Sequence, residues 1–146
     1  TNATLINARW ASFFKRYDFK VGISLDGCQS SHDMFRKNRK GGGSFSEVEK
    51  GIRILRRYGI PFGVVQVLTA TSIPYLAENF SYFTDDLGLD HWGMNVFHAR
   101  DDTGMEQQTV TNEQLVGAWK ELTELWIERP SRIFLEQLLV VCVTSR

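Results

Sequence analysis

Two side chains near the end of a short apolar segment have the chemistry to bind a ligand. Residues 21–45 read VGISLDGCQSSHDMFRKNRKGGGSF. Ser24 stands one residue before the end of the apolar stretch, so its hydroxyl is a candidate to bond a carboxylate or a ribose. Arg36 carries a planar fork of N–H donors that suits a carboxylate. The two residues together indicate a site for a small polar ligand.

Ordinary loop structure explains the same residues about as well. Ser24, Asp26 and Gly27 fit a turn at the end of a strand, because glycine tolerates a positive φ and aspartate bonds to nearby backbone. Arg36, taken alone, is more typical of a solvated loop. Both explanations stay open from these residues alone.

The rest of the segment gives weaker signals. His32 and Asp33 have the types for acid–base chemistry, but a single histidine more often belongs to a turn or to packing. Gly41–Gly43 is not a phosphate-binding loop, since no Lys-Ser/Thr follows it, and flexibility explains these glycines better. Residues 26–43 are predicted as a polar loop, and loops of that length are more often functional than decorative.

Three strands are predicted around this loop, over 18–25, 62–68 and 91–99. The sequence of 62–68, FGVVQVL, has the near-continuous apolar character of a strand covered on both faces. Helical spacing of apolar residues separates the strands. The alternation of helix and strand predicts an α/β fold class built from consecutive right-handed βαβ units, and therefore parallel strands.

Four helices are predicted from apolar spacing and from end signals. The first covers 5–17, begins at an N-cap Thr4 and carries an aromatic face. The second begins at a capping box, Ser44 with Glu47 or Ser46 with Glu49, and ends at Gly59. The apolar positions assigned to these two helices are Ile6, Trp10, Phe13, Phe14 and Tyr17, and then Val48, Ile52 and Leu55.

The third helix is predicted to start at Ser72 and to end at Gly88, and the fourth to start at a Thr111–Gln114 capping box. The tail 133–146 is ambiguous; a helical start is expected and a final strand is left open. The inner faces assigned to the two helices are Leu76, Phe80, Phe83 and Leu87, and then Leu115, Trp119, Leu122 and Trp126.

In an α/β barrel, ligands bind at the carboxyl ends of the strands. Asn2, Ser24 and residues 68–71 are therefore expected to share one rim. The chain opens on a helix, with residues 1–3 where a preceding strand would end. We therefore expect 1–146 to be a single slice of a larger barrel, and we expect its exposed sheet edges to promote self-association.

Composition excludes several classes of function. Seventeen basic and seventeen acidic side chains cancel, so no global field favours nucleic acid or an anionic membrane as a partner. Two cysteines, Cys28 and Cys142, support neither a disulfide framework nor a thiolate metal site. No run of apolar residues is long enough for a membrane span, and no signal peptide is visible, so a cytoplasmic location is expected.

Four stretches in a fixed order are more specific than any single motif. They are TNATLI, FFKRYDFKVGISLDG, HDMFR and GGGSFSEVEKGIRILRRYGIPF. Together they resemble radical S-adenosylmethionine enzymes, in the anaerobic sulfatase-maturase and peptide-modifying branch that often carries auxiliary iron–sulfur clusters in a C-terminal (SPASM-type) domain. The resemblance covers residues 1–70 well and extends weakly to 100.

The resemblance implies a partial TIM barrel, (β/α)6, with a [4Fe–4S] cluster held by three cysteines. Reductive cleavage of S-adenosylmethionine would give a radical that abstracts hydrogen from a peptide or protein substrate, with flavodoxin or ferredoxin as electron donor. By position, Asn2 resembles a strand-end residue near the cofactor and Ser24 one that contacts its methionyl or ribose part. Arg36 is the candidate for the methionine carboxylate, and Leu68 for packing on adenine.

The sequence departs from this family at several points. Ala3 replaces the usual glycine after Thr-Asn, and Cys28 stands where proline often follows the Ser-x-Asp-Gly turn. Cys28 fits a loop thiol better than a cluster ligand. No C-x-x-x-C-x-x-C is present, nor is a cysteine-rich C-terminal pattern. The cluster-binding unit and any auxiliary-cluster domain are therefore expected to lie outside this chain, which alone should be inactive.

Three readings of function remain. The first is part of a radical S-adenosylmethionine enzyme, and the second is a peptide-binding module that has a degenerate barrel and no catalytic role. The third, an ordinary barrel aldolase or isomerase, lacks the expected lysine or paired carboxylates at strand ends. Residues 97–110, with Asp101 and Asp102, are a candidate substrate contact, although a solvated loop explains them equally well.

Overall fold

Three strands and the helices between them form an α/β fold in the computed structural model, which describes residues 1–99 and 104–129. The strands are β1 (Val21–Ser24), β2 (Phe62–Leu68) and β3 (Gly93–Val96), in the sheet order β1-β2-β3. β1 pairs with β2 in parallel, from Val21 opposite Phe62 to Ser24 opposite Val65. All three predicted strands are present, β2 with the predicted bounds and the other two shorter.

The described residues include five α-helices in addition to the strands. They are α1 (Ala8–Arg16), α2 (Gln29–Phe35), α3 (Phe45–Arg57), α4 (Leu76–Ser81) and α5 (Asn112–Glu128). Short 3-10 helices cover Ile73–Tyr75 and Glu106–Gln108, and a π-helix continues α4 over Tyr82–Asp86. Within the described part of the chain, no helix is both long enough and apolar enough to cross a membrane.

The chain divides into two compact units, Thr1–Gln66 and the part from Val67 onward. In the first unit, the predicted inner face of α3 is confirmed, because Val48, Ile52 and Leu55 are all buried. Gly59 follows α3 with a φ of 64°, which confirms the predicted left-handed stop.

A glycine allows α3 to lie against the start of the chain. A Cβ atom on Gly51 would overlap the carbonyl oxygen of Ala3, a backbone atom that has no easy way to move. Ala3 itself has a φ of 59°, in the left-handed region that favours glycine, and it is fully buried. Ala3 thus adopts the conformation expected of the glycine that it replaces.

The beginning of α1 differs from its prediction. The N-cap is Asn7 and not Thr4; its Oδ1 accepts a hydrogen bond from the Trp10 N–H at 3.1 Å. The predicted aromatic face is present, and its rings contact one another, with the Phe13 and Tyr17 centroids 4.8 Å apart. This face is nevertheless close to half exposed at Trp10, Phe13 and Tyr17.

The region before α3 differs more. The predicted polar loop 26–43 contains the helix α2, and the predicted capping boxes at the start of α3 are absent. The Ser44 hydroxyl bonds elsewhere, and Oδ1 of Asp33 instead accepts from the Phe45 N–H at 2.9 Å. The prediction was wrong because α2 buries polar residues, Ser31 and His32, so its sequence has no apolar stripe.

The second unit agrees better with its sequence pattern. Leu76, Phe80, Phe83 and Leu87 are buried as predicted, and α4 packs on α5. The Thr111–Gln114 capping box is confirmed in full. Ser72 was expected to cap a helix, but its hydroxyl accepts from the Thr69 N–H at 2.9 Å. The tail 133–146 lies outside the described residues.

Candidate ligand site at the carboxyl end of β1

Ser24 and Asn2 lie together at the end of β1. The Ser24 N–H donates to the Thr1 carbonyl, the oxygen of the peptide that leads into Asn2, at 2.9 Å. The Thr1 nitrogen donates to the Gly22 carbonyl at 2.8 Å, so Thr1 runs along β1. Ser24 is half-buried, and its hydroxyl makes no hydrogen bond among the described residues.

Asn2 is exposed, and its amide is partly engaged. Its Oδ1 accepts from the Thr4 N–H at 3.3 Å and from the Thr4 hydroxyl at 3.1 Å. This turn fixes the side-chain oxygen and thereby the orientation of the amide. The Asn2 amide nitrogen has no partner among the described residues, so it remains a donor for a ligand.

Asp26 is the most constrained residue of the site. It is buried, and its N–H donates to His32 Nδ1 at 3.2 Å. Its carbonyl accepts from the Ser31 hydroxyl at 2.8 Å and, more weakly, from Gln66 Nε2 at 3.5 Å. The backbone polar groups of Asp26 are therefore satisfied by buried side chains, as burial requires.

Arg36 is paired with Asp26 through two parallel hydrogen bonds. Its Nε donates to Oδ2, and its second terminal nitrogen donates to Oδ1 at 3.1 Å. The guanidinium remains partly exposed, while the carboxylate is almost fully buried. Arginine has five N–H donors, so the pair leaves others for a ligand. The sequence prediction placed Arg36 near Ser24 but did not foresee that Asp26 would hold it.

His32 connects the same residues from inside the protein. It is fully buried, and its Nε2 lies 3.0 Å from the Ser44 hydroxyl, which donates to the Arg36 carbonyl at 2.9 Å. Burial lowers the pKa of His32 below its usual 6.5, and the Asp26 carboxylate opposes this only in part. His32 is therefore a neutral structural link, consistent with a packing role rather than that of a general base.

Asp33 and Gly43 have structural roles beside this network. Asp33 accepts the Phe45 N–H at the start of α3, and a Cβ atom on Gly43 would overlap that carboxylate. Gly43 is therefore needed for space, which corrects the prediction that the glycine triplet serves flexibility alone. At Gly41 the φ of 81° does require a glycine-type turn.

Leu68 and the residues after it are described within the second unit. Leu68 is fully buried at the end of β2, and its carbonyl accepts from the Phe97 N–H at 2.8 Å. Nearby, the Gln108 carbonyl accepts from the Ala70 N–H at 3.0 Å, and its side-chain Oε1 accepts from the Thr71 hydroxyl. Asp101 and Asp102 lie outside the described residues.

The sequence reasoning missed the parts of the site that hold Arg36. Ser44 was assigned to helix capping, and Gln66 was counted within an apolar strand. Gln66 carried a usable signal, because a polar residue inside FGVVQVL must find a buried partner. The pairing of Asp26 with Arg36 had no comparable signal, since it depends on the course of α2.

The residues fit an S-adenosylmethionine ligand but not an iron–sulfur cluster. Ser24, Asn2 and Arg36 offer a hydroxyl, an amide and a guanidinium, which suit ribose and carboxylate oxygens. Among residues 1–99 and 104–129, no three His, Cys, Asp or Glu side chains are grouped for a metal ion. Cys28 is buried at the N-cap of α2, so the described residues hold one thiol where three are needed.

Comparison with known proteins gives relatives of the chain. The chain matches no protein-family model. It is 38% identical over 114 residues to an uncharacterized protein of Synechocystis, which covers 78% of the chain and 28% of that protein. It is 37% identical over 83 residues to a cysteine-type anaerobic sulfatase-maturating enzyme of Clostridium novyi, covering 57% of the chain and 22% of the enzyme.

A solved structure of an enzyme has a fold similar to that of this chain. The enzyme anSMEcpe, with bound AdoMet and the Kp18Cys peptide, superposes with a TM-score of 0.77 at 26% identity, over 97% of this chain and 42% of that one. The chain thus spans less than half the length of the proteins that it matches. Its fold class, part of a parallel (β/α)6 barrel, is confirmed by this match.

In sequence and fold, the chain resembles the radical S-adenosylmethionine enzymes. The branch that it resembles is that of the anaerobic sulfatase-maturating enzymes, as the ordered motifs predicted.

Proposed function

We propose that this chain is part of a radical S-adenosylmethionine enzyme that modifies a peptide or protein, and that its contribution is to bind and orient S-adenosylmethionine. Asn2 and Ser24 bond the ribose or methionyl part, and Arg36 bonds the carboxylate. The ligand supplies a carbon-centred radical when it is cleaved, and an external donor such as flavodoxin or ferredoxin supplies the electron.

One observation carries this proposal. Ser24, at the carboxyl end of β1, is hydrogen-bonded through its N–H to the peptide that leads into Asn2, and Arg36 is tied to Asp26 two positions further on. Strand ends are where α/β barrels bind their ligands. The sulfatase-maturating names of the relatives and the AdoMet-bound structures support the choice of ligand and of a peptide substrate.

The cluster is the part that these residues do not provide. Cys28 and Cys142 are the only cysteines of the chain, and a cluster of this kind needs three thiolates close together. We propose that other polypeptide of the complete protein holds it. The 146 residues alone should then bind S-adenosylmethionine weakly and generate no 5′-deoxyadenosine.

The test uses the complete protein that contains this chain, purified and reconstituted anaerobically with iron and sulfide. With a reductant, it should convert S-adenosylmethionine to 5′-deoxyadenosine. Arg36→Lys, which loses the planar fork, and Ser24→Ala should each raise the dissociation constant for S-adenosylmethionine about 10-fold, as expected for one lost polar anchor.

The matched controls are Arg53→Lys and Ser46→Ala, at exposed positions on α3. Both should leave binding within about twofold of wild type, because surface substitutions of this kind are nearly neutral. Equal effects at the site and control positions would contradict the proposal.

A peptide-binding module without catalysis is the second candidate, since peptide binding requires no cluster. The same experiment separates the two functions. A complete protein that takes up no iron–sulfur chromophore and forms no 5′-deoxyadenosine, yet binds peptides, supports the module.

A further inference from the structure

Asp26, His32, Ser44 and Arg36 form a closed circuit of hydrogen bonds, which we name the Asp26 ring. The Asp26 N–H contacts the His32 imidazole, which contacts the Ser44 hydroxyl, which contacts the Arg36 carbonyl. The Arg36 guanidinium returns to the Asp26 carboxylate. Three of the four residues are buried, and only Arg36 reaches solvent.

The Asp26 ring allows only one arrangement of protons. A backbone N–H only donates, so His32 Nδ1 must be the unprotonated, accepting nitrogen. The proton of the neutral imidazole then lies on Nε2 and points to Ser44. The Ser44 hydroxyl is left to donate to the Arg36 carbonyl, which only accepts. Both ends of this path are backbone groups. The Asp26 N–H can only donate a hydrogen bond and the Arg36 carbonyl can only accept one, so the direction of the path is fixed.

This arrangement restricts Arg36. An unpaired arginine side chain samples many rotamers, and ordering it on binding costs conformational entropy. Here two parallel hydrogen bonds to a buried carboxylate fix the plane of the guanidinium before any ligand arrives. A donor that is already oriented raises ligand affinity by removing that ordering cost.

Asp26 can hold Arg36 in one orientation only if Asp26 itself is fixed. Its N–H is held by His32, and its carbonyl by Ser31 and Gln66. The main chain of Arg36 is held in turn by Ser44 and by its own N–H, which donates to the His32 carbonyl at 3.1 Å. His32 therefore touches both halves of the ion pair.

Resting on the function proposed above, we propose that His32 and Ser44 are positioning residues, which hold the Asp26–Arg36 pair so that Arg36 presents its remaining N–H donors to the carboxylate of S-adenosylmethionine. Neither residue touches the ligand. They act through Arg36, and they set the affinity for the ligand rather than the chemistry.

Two substitutions of His32 separate its two contacts. Asn carries its polar atoms near the position of Nδ1, so His32→Asn keeps an acceptor for the Asp26 N–H and loses the link to Ser44. The glutamine side chain of His32→Gln reaches the position of Nε2, so this variant keeps the contact with Ser44 and loses the acceptor for the Asp26 N–H. Ser44→Ala is a smaller change that removes only the hydroxyl. It tests the same network if a His32 variant does not fold.

The matched control is Asp33→Asn. Asp33 is the neighbour of His32 on α2, and its carboxylate holds the start of α3 rather than the Asp26 ring. This variant should lower the free energy of unfolding without changing the orientation of Arg36. It therefore reports what lost stability alone does to ligand binding.

The first measurement is the dissociation constant for S-adenosylmethionine in the reconstituted complete protein, by calorimetric titration. We expect His32→Gln to weaken binding at least 10-fold, and Ser44→Ala to weaken it several-fold. His32→Asn should restore binding to within about threefold of wild type, and Asp33→Asn should remain within twofold. Equal affinity in wild type and His32→Gln overturns the inference.

The second measurement needs no ligand. The exchange rate of the Arg36 Nε proton with water, measured by NMR, should be slow in wild type, His32→Asn and Asp33→Asn, and at least 10-fold faster in His32→Gln. If wild type binds no S-adenosylmethionine, the proposed function fails, yet this rate still decides whether His32 orients Arg36. Slow exchange in His32→Gln overturns the inference.

Discussion

The regions that follow β1 and β2 are both held by polar side chains, but they are built differently. After β1, the Asp26 ring joins residues up to 18 positions apart and includes an ion pair and a histidine. After β2, Thr69 and Ser72 bond each other reciprocally within three positions, using only neutral groups. The second arrangement forms locally, whereas the first requires α2 and the start of α3 to be in place.

This difference separates two ways of ending a strand. A neutral turn satisfies the backbone at a small and nearly constant cost, independent of pH. A ring that contains an ion pair fixes the orientation of its side chains. Its stability is more sensitive to substitution of any member, because a buried ionic group left without its partner is costly. We expect substitutions to be most damaging in the first unit, and the predictions below compare matched positions in the two units.

The largest effect is expected at Gly51. Gly51→Ala places a methyl group against the Ala3 carbonyl oxygen, so we expect the free energy of unfolding to fall by about 2 kcal/mol, as for an overpacked core. The control is Gly117→Ala in α5, where a Cβ meets nothing within 4 Å. Helix propensity should then raise stability by about 0.5–1 kcal/mol. Urea unfolding measures both, and equal shifts at the two positions would contradict the close approach.

An effect of similar size is expected in the Asp26 ring. His32→Phe leaves the buried Asp26 N–H without its acceptor, so we expect a loss of about 2 kcal/mol. Ser72→Ala removes the corresponding acceptor of the Thr69 N–H in the second unit and should cost about 1 kcal/mol. A larger loss for Ser72→Ala would reverse the comparison between the two strand ends.

The third prediction concerns pH. Burial lowers the pKa of His32 in the folded protein below 6.5, so the unfolded chain binds the proton more tightly. The charged groups that face His32 are Asp26 and Asp33, which oppose this shift, and Arg36, which adds to it. Stability should therefore be complete above pH 6.5 and fall as the pH decreases through the folded-state pKa of His32.

His32→Asn should flatten this part of the stability profile, whereas Ser72→Ala should leave its shape unchanged. Unfolding free energies measured by urea titration between pH 5 and pH 8 give both profiles. A wild-type profile that shows no loss below pH 6.5, or an unchanged slope in His32→Asn, would exclude a buried neutral histidine.

The smallest effect is expected at Ala3. Ala3→Gly relieves the left-handed conformation but removes a buried methyl group, so stability should change by less than about 1 kcal/mol. Gly88 has a similar φ of 56° with open space around it. Gly88→Ala has only the unfavourable term and should lose about 1 kcal/mol. Thermal unfolding measures the stability of both variants. A larger loss of stability in Ala3→Gly than in Gly88→Ala would contradict this explanation.

The sequence predicted the elements with a strong apolar period and missed those held by polar contacts. β2, the inner faces of α3 and α4 and the capping box of α5 follow from local patterns, and all are present. The helix α2 could not be predicted in the same way, because its buried residues Ser31 and His32 are polar and find partners in distant segments.

The residues of the site also divide into those that the sequence predicted and those that it did not. Asn2, Ser24 and Arg36 were identified from motif order, and their roles toward a ligand stay predictions. In the first unit, the Ser24 N–H bonds the Thr1 carbonyl and Arg36 pairs with Asp26. The roles of Asp26 and His32 were not identified, since the Asp26 N–H and the His32 ring meet only once α2 is in place. Tertiary hydrogen bonds of this kind leave no period in a sequence.

The π-helix after α4 has a consequence for how the chain tolerates changes of length. The Leu87 N–H donates to the Tyr82 carbonyl, so this turn holds one residue more than an α-helical turn does. Loss of one residue from Tyr82–Asp86 would restore ordinary pairing and leave the flanking apolar positions in phase. Loss of one residue from α3 would rotate every later side chain by about 100°. Single-residue gaps among homologous sequences should therefore collect at the π-turn and avoid α3.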